Sequence, residues 1–228
     1  MEKHELQSAL ARAKDNSPKR KFRQTYDLII NLKGLDLKKP DHQVDTFVTL
    51  PHSRGRKVKV CALVGAELDQ QAKGIFDSVI MSDHFERYKD KKEIKKLAAS
   101  ADFFIAQANI MPKVATVFGR VLGPRGKMPN PKAGAVVPPN ANLKPVYEKF
   151  QKTVRASAKT QPIIQVPIGS EEMKLEDVAE NGMLVYKQVL QLLPNEKHNI
   201  KDICIKLTMG SPVRIGEHLE EEVTAKHK

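Results

Sequence analysis

Val58-Lys59-Val60-Cys61-Ala62-Leu63-Val64-Gly65 is where the chain changes character. Its apolar run predicts a strand buried on both faces, ended by Gly65. Beyond Gly65, helix and strand patterns take turns. A short helix is expected over 67–73, a strand at Ser78-Val79-Ile80 and a charged helix over 84–99. A second buried strand is expected at Asp102-Phe103-Phe104-Ile105-Ala106. A helix over 110–119 comes next, with Pro112 tolerated in its first turn. Leu143, Val146, Tyr147, Phe150 and Val154 then recur at helical spacing. Strands alternating with helices predict parallel βαβ units.

Upstream the style differs. Leu6, Ala9, Leu10 and Ala13 form a helical stripe over 4–15, stopped at Asn16-Ser17-Pro18. From Thr25 to Lys33 the residues alternate: Tyr26, Leu28, Ile30 and Leu32 share one face, Thr25, Asp27 and Asn31 the other, with Ile29 the exception. Residues 44–50 read as a second strand, broken by Pro51-His52-Ser53-Arg54-Gly55-Arg56. Downstream, Ser157-Ala158-Lys159-Thr160 reads as a linker. Ile164, Val166 and Ile168 then alternate beside Pro162 and Pro167, as in an edge strand. A long helix is expected over 175–193 and an alternating strand over 200–208. The tail, with Glu217 and Glu220-Glu221-Glu222, reads as frayed or weakly helical. Both ends thus predict a sheet covered on one side, and the middle a parallel α/β layer. An inserted middle domain over 54–155, with 1–53 and 156–228 forming one α+β domain, accounts for both breaks.

The 228 residues carry a formal charge of +12, and 40% are hydrophobic, enough for a real core. So basic a balance predicts nucleic acid or another anionic partner. Residues 103–170 hold ten Lys/Arg against Glu148 alone, a net +9. Only 5% are aromatic and none is Trp, which disfavours a chain of stacking platforms for single strands. Cys61 and Cys204 lie in apolar runs and read as buried free thiols of a reducing compartment. Neither C-x-x-C nor His at ligand spacing occurs, so no metal site and no cofactor are expected. The N-terminus lacks a signal-peptide core, and no apolar run approaches the roughly 20 residues of a membrane span. A soluble cytoplasmic protein is expected, with no membrane partner.

Leu122-Gly123-Pro124-Arg125-Gly126-Lys127-Met128-Pro129-Asn130-Pro131-Lys132-Ala133-Gly134 holds three Gly, three Pro, three cations and no acid. No helix or central strand runs through such a stretch. Its cations and free N–H groups suit phosphate; a solvated surface turn is the plainer alternative. The phosphate option defines a competing function, a basic α/β enzyme acting on a nucleotide or RNA. Enzyme motifs are missing, however. Gly126-Lys127 is followed by Met128 rather than a hydroxyl residue, and position 121 is Val, so this is no Walker A loop. Val64-Gly65-Ala66-Glu67 lacks the later glycines of a dinucleotide fingerprint. Asp27, Asp45 and Asp202 are conceivable carboxylate pairs, and no Ser/His/Asp spacing marks a nucleophile. No catalytic residue is assigned.

Strand parity favours RNA binding. Thr25 and Asp27 point away from Tyr26 and Leu28, and Lys206 and Thr208 away from Ile205 and Leu207. If the two strands are neighbours, one face offers hydroxyls, a carboxylate and a cation to ribose 2′-OH groups. Gly210 lets an RNA backbone approach. Met209 either packs on a sugar or base or plugs the core. Lys19-Arg20-Lys21-Phe22-Arg23 supplies phosphate affinity, with Phe22 stacking or anchoring.

Lys21-Phe22-Arg23-Gln24-Thr25-Tyr26-Asp27-Leu28, Leu50-Pro51-His52, the 122–134 loop, Ile168-Gly169 with Glu176-Asp177-Val178-Ala179-Glu180-Asn181, and Thr208-Met209-Gly210 occur in this order. Together they resemble the ribosomal protein L-one family of the large-subunit stalk, in its archaeal or eukaryotic form. The resemblance implies a split β-α-β domain from both chain ends and an inserted Rossmann-like three-layer α/β domain without a nucleotide. It implies a hinge, at Ser53, Gly55 and Ser157. The implied partners are large-subunit ribosomal RNA, the chain's own messenger RNA, whose translation it would repress, and exit-site tRNA, whose release it would assist. A monomer within the ribosome is implied. RNA contacts are implied for Lys21, Phe22, Thr25 and Asp27, and for Thr208, Met209 and Gly210; strand parity adds Lys206. The chain departs from the family at Gly210-Ser211-Pro212, at Asp27 where bacterial members carry Glu, and at Lys127 where they carry an apolar residue. Because Thr208 points outward, Thr208→Val is expected to cost RNA affinity on the order of 1–3 kcal/mol and scarcely to change melting.

Overall fold

The computed structural model describes residues 2–88 and 90–216. The elements in chain order begin α1 (Lys3–Asp15), β1 (Thr25–Leu32), β2 (Val44–Thr49), β3 (Val60–Val64), α2 (Asp69–Lys73) and β4 (Ser78–Met81). Then come α3 (Lys91–Ser100), β5 (Phe103–Gln107), α4 (Met111–Leu122), β6 (Val136–Val137) and α5 (Leu143–Lys152). The last are β7 (Thr153–Ala158), β8 (Ile163–Ser170), α6 (Leu175–Leu192), β9 (Ile200–Leu207) and β10 (Val213–Arg214). The chain is mixed α/β and divides into two compact units. One is formed by residues up to Arg56 and from Val154 on, the other by Lys57–Thr153. Residues 54–56 and 154–155, assigned to the middle segment from sequence, therefore group with the first unit.

In the first unit, an antiparallel sheet runs β10-β9-β1-β8. Both β8 and β9 pair antiparallel to β1, so they are parallel to each other, and α6 connects them across it. This is a split β-α-β unit. Tyr26, Leu28 and Ile30 are fully buried against Leu6, Ala9 and Leu10 of α1 and Val178, Val185 and Val189 of α6. The opposite face of β1 is only partly covered. β8 is an edge strand, the place in a sheet where Pro167 is best tolerated. β2 pairs with β7 in a second small sheet. The expected linker at 157–160 thus gives way in part to a strand. Val154, Ala156 and Ala158 are buried in β7, but their small size hides the period-two pattern, and Ser157 lies within this strand.

In the second unit, a parallel sheet runs β4-β3-β5-β6. Cys61, Leu63 and Phe104 pack with Ile94 of α3 and Phe118 of α4. Phe103, on the other face of β5, meets Phe150 of α5 at 5.3 Å between ring centroids. Helices thus cover both faces, as βαβ units require. The helix expected over 84–99 is two pieces. A 3₁₀ turn (Ser82–Arg87) ends before Asp90, whose side chain accepts from the Lys92 N–H and caps α3. No described helix is long and apolar enough to cross a membrane. The acidic tail from Glu217 lies outside the described residues.

The Tyr26 hydroxyl is buried with no hydrogen-bond partner among the described residues. Burial, with the charges of Glu171 and Asp15, pushes its pKa up to about 12. The unfolded-state value is about 10. Tyr26's contribution is therefore complete below about pH 10 and is lost as pH rises through 12. Tyr26→Phe is expected to leave neutral-pH stability unchanged or raise it by up to about 1 kcal/mol, because the lost hydroxyl made no bond. It should also flatten the loss between about pH 10 and 12. Urea unfolding of both proteins at neutral and alkaline pH checks this.

Candidate nucleic-acid interface

β1 and β9 are hydrogen-bonded neighbours, with Asp27 opposite Lys206 and Tyr26 opposite Leu207. Thr25, Asp27, Lys206 and Thr208 therefore share the outer face of the first unit's sheet, at one end of the two strands. On the β8 side Asp27 is opposite Pro167, past a bulge between Tyr26 and Asp27. Burial pushes the Asp27 carboxyl above its usual range, against the opposing pull of the Lys206 ammonium.

Thr208 extends the ladder with its side chain. Its Oγ1 accepts from the Thr25 N–H at 3.0 Å and donates to the Thr25 carbonyl at 3.4 Å. One lone pair of the hydroxyl stays open to an outside donor. The expectation that Thr208→Val leaves melting unchanged is thus corrected: the hydroxyl faces outward but closes the strand pair. That substitution is expected to cost about 1 kcal/mol of stability, read by thermal or urea unfolding.

Beyond Thr208 the chain turns sharply, the Gly210 N–H donating to the Leu207 carbonyl at 2.9 Å. A Cβ at Gly210 would stand 3.0 Å from Ser17 Oγ, so the turn packs closely on the segment after α1. The turn presents Met209 at 54% exposure, so this side chain does not plug the core. Phe22 is 50% exposed and does not anchor there either. Lys19, Arg20, Lys21 and Arg23 are exposed around it, Arg23 paired with Glu172 at 3.0 Å. Two large apolar groups, a basic run and a polar strand face meet at one end of the sheet, a combination suited to sugar, base and phosphate.

The three conceivable carboxylate partners are separate. Asp27 faces Lys206, Asp202 accepts from Asn31, and Asp45 binds Arg155 and Lys159, each at 2.7 Å. Burial opposes ionisation of Asp45, but these two cations hold its pKa below the usual value. Arg214, on a strand too short to recognise from sequence, pairs beside Cys204 on the outer face. Gln24 escapes a sequence reading as a functional residue; a polar side chain in phase with Tyr26, just before the strand, is the available signal.

Of the expected hinge residues, Ser53 accepts from the Gly55 N–H at 3.4 Å. Gly55 has φ +76°, and a Cβ there would come within 2.5 Å of the Ser170 Cβ. Residues 53–55 thus lie against the first unit, and Ser157 is inside β7.

The chemistry of the second unit weakens the phosphate-loop alternative. Lys127 Nζ donates to the carbonyls of Ala98 and Ala101, both at 2.7 Å, closing the C-terminal end of α3. Burial lowers its pKa. Arg125 reaches the Lys95 carbonyl at 3.3 Å. Two of the loop's three cations thus bind helix carbonyls. In a parallel sheet, ligands sit at the strands' carboxyl ends, where the connections diverge. There the buried Gln107 fills the space: its Oε1 accepts from the Gly65 N–H at 2.8 Å and its Nε2 donates to Glu67 at 3.0 Å. Among the described residues, no group of three or more His, Cys, Asp or Glu is placed to hold a metal ion.

The chain is similar to proteins of the large ribosomal subunit. The chain is 43% identical over 201 residues to the large ribosomal subunit protein uL1 of Nanoarchaeum equitans, covering 86% of this chain and 93% of the relative. It is 42% identical over 213 residues to that of Methanobrevibacter smithii, covering 92% and 98%. For Thermococcus kodakarensis the figures are 38% over 216 residues, covering 94% and 98%. The model of the ribosomal protein L1p/L10e family matches residues 11–211, which include the basic run, both central strands and the Met209 turn. By that span and these identities, the chain belongs to the ribosomal protein L1p/L10e family.

Proposed function

We propose that this protein is a structural, non-enzymatic constituent of the large ribosomal subunit in the cytoplasm. It binds large-subunit ribosomal RNA at the mobile stalk near the tRNA exit site. The observation that carries the reading is the joined patch at one end of the first unit's sheet. Thr25, Asp27, Lys206 and Thr208 lie on one face there, beside exposed Phe22 and Met209. Asp27 and the open lone pair of Thr208 accept from ribose 2′-OH groups. Lys206, Lys21 and their basic neighbours meet phosphates, and Phe22 and Met209 pack on bases or sugars. Gly210 serves the patch by letting the Met209 turn pack on Ser17, where a Cβ would stand 3.0 Å from the Ser17 Oγ. Recognition is by RNA shape and backbone, steered by the net charge.

Two finer roles belong to the same proposal. The stalk assists release of deacylated tRNA, and the patch also binds a similar structure in the chain's own messenger, repressing its translation. Ser53 and Gly55, just before the chain enters Lys57–Thr153, and Ser157, just after it leaves, flank a hinge. Sedimentation of tagged protein in cell extract tests the main reading. The protein is expected in the large-subunit fraction and to stay there after a salt wash. Recovery only among free proteins would overturn the proposal. A reporter fused to the chain's own messenger leader tests repression, which a messenger insensitive to added protein would exclude.

A further inference from the structure

Gln24 is 1% exposed, directly beneath the patch, and every polar group it carries is engaged. Its Nε2 donates to the Pro18 carbonyl at 3.1 Å and lies 3.4 Å from Ser17 Oγ. Its Oε1 accepts from the Met209 N–H at 3.1 Å. Its backbone N–H donates to Glu171 at 3.1 Å, and its carbonyl accepts from the Glu171 N–H at 3.0 Å. One carboxamide therefore ties the turn after α1 to the turn after β9, while its backbone ties both to the segment entering α6.

We propose that Gln24 is a positioning residue for RNA binding: its side-chain amide sets the Met209 turn against the Ser17–Pro18 turn, and so fixes Met209 relative to Phe22. This rests on the RNA reading above. The position needs a group that donates at one end and accepts at the other in a buried place. A leucine does neither, and an ionised glutamate only accepts. The surrounding charged groups are Lys14 and Asp15 at the end of α1, Lys19 and Arg20 in the basic run, and Glu171 before α6. A carboxylate at position 24 would lie buried beside Glu171, and both effects favour its protonated form over the opposing, solvent-screened pull of the exposed Lys14, Lys19 and Arg20. Once protonated, its O–H again donates to the Pro18 carbonyl.

The full-length protein and its Gln24→Leu and Gln24→Glu variants are titrated with deproteinised large-subunit ribosomal RNA at about pH 8 and about pH 5.5, on either side of a burial-raised carboxyl pKa. Hydrogen exchange at the Met209 amide is followed without RNA. Gln24→Leu is expected to lose Met209 protection and about tenfold in affinity at both pH values, one misplaced buried bond's worth. Gln24→Glu is expected to bind about tenfold more weakly than wild type at the higher pH and to approach it at the lower. A generally damaged protein would not recover in this way. Wild-type Met209 protection and affinity in Gln24→Leu, or a Gln24→Glu deficit equal at both pH values, would overturn the proposal. Failure of the RNA reading itself is separately visible as absent RNA preference in the wild type, and the exchange measurement still decides the positioning.

Discussion

Asn181→Leu is expected to destabilise the protein by about 3 kcal/mol, through several buried partners losing their bonds at once. Asn181 is fully buried on α6. Its Nδ2 donates to the Ile168 carbonyl at 2.8 Å and the His52 carbonyl at 3.2 Å, and its Oδ1 accepts from the His52 N–H at 3.1 Å. It thus joins α6, β8 and the segment after β2 with one side chain. A leucine of similar size fills the space and satisfies none of the three groups. The neighbouring Glu180 makes a contrasting control. Lys3 and His52 hold its pKa down at about 2, but the carboxylate is solvent-exposed, where ion pairs contribute little. Glu180→Gln should therefore scarcely change the urea midpoint. A small shift for Asn181→Leu would mean that water replaces the side chain's partners, and the clamp on residue 52 would lose its energetic meaning.

The second large effect is on binding. Lys206→Glu is expected to weaken RNA binding about 100-fold, or about 2.7 kcal/mol, while Lys206→Gln loses about tenfold. The reversed charge repels phosphate and places two carboxylates opposite each other, at Asp27 and position 206. Asp27 is already held toward protonation by burial, so the pair further favours a neutral carboxyl and removes an acceptor for the ribose. Lys201→Glu changes net charge equally, at the far end of β9. It should cost much less. Equal losses for positions 201 and 206 would show that total charge, rather than the patch, controls affinity.

Much of this patch is legible in the sequence, because a strand's period of two assigns each side chain to a face without knowledge of its neighbours. That rule puts Thr25 and Asp27 opposite Tyr26, and Lys206 opposite Leu207, as the structure has them. That β1 lies beside β9 is a pairing across most of the chain, and local pattern carries no information about it. Parity also ends with the strand, which is why the sequence leaves Met209 open to two readings and only its turn decides. Thr208 falls on the correct face, but its bonds to the Thr25 backbone are invisible to a rule about direction alone. The Gly/Pro loop reads as a stop to regular structure, which holds only broadly. A short 3₁₀ turn (Pro131–Ala133) lies within it, and Gly126 and Gly134 adopt φ values of +65° and +76°. Its cations are ambiguous in sequence because a lysine meets a phosphate or a helix carbonyl with the same donors. Lys127 takes the carbonyls. β7 and β10 escape a pattern reading, one because its buried residues are mostly small and the other because it is only two residues long.

A filter-binding titration against the stalk junction of large-subunit ribosomal RNA, with an unrelated duplex of equal length as competitor and at two salt concentrations, tests the central claim most directly. Preference for the junction that persists at the higher salt is expected, because a shaped patch adds contacts that do not depend on counterion release. Equal binding to both RNAs, collapsing together as salt rises, would contradict it and leave only the +12 charge to explain the affinity.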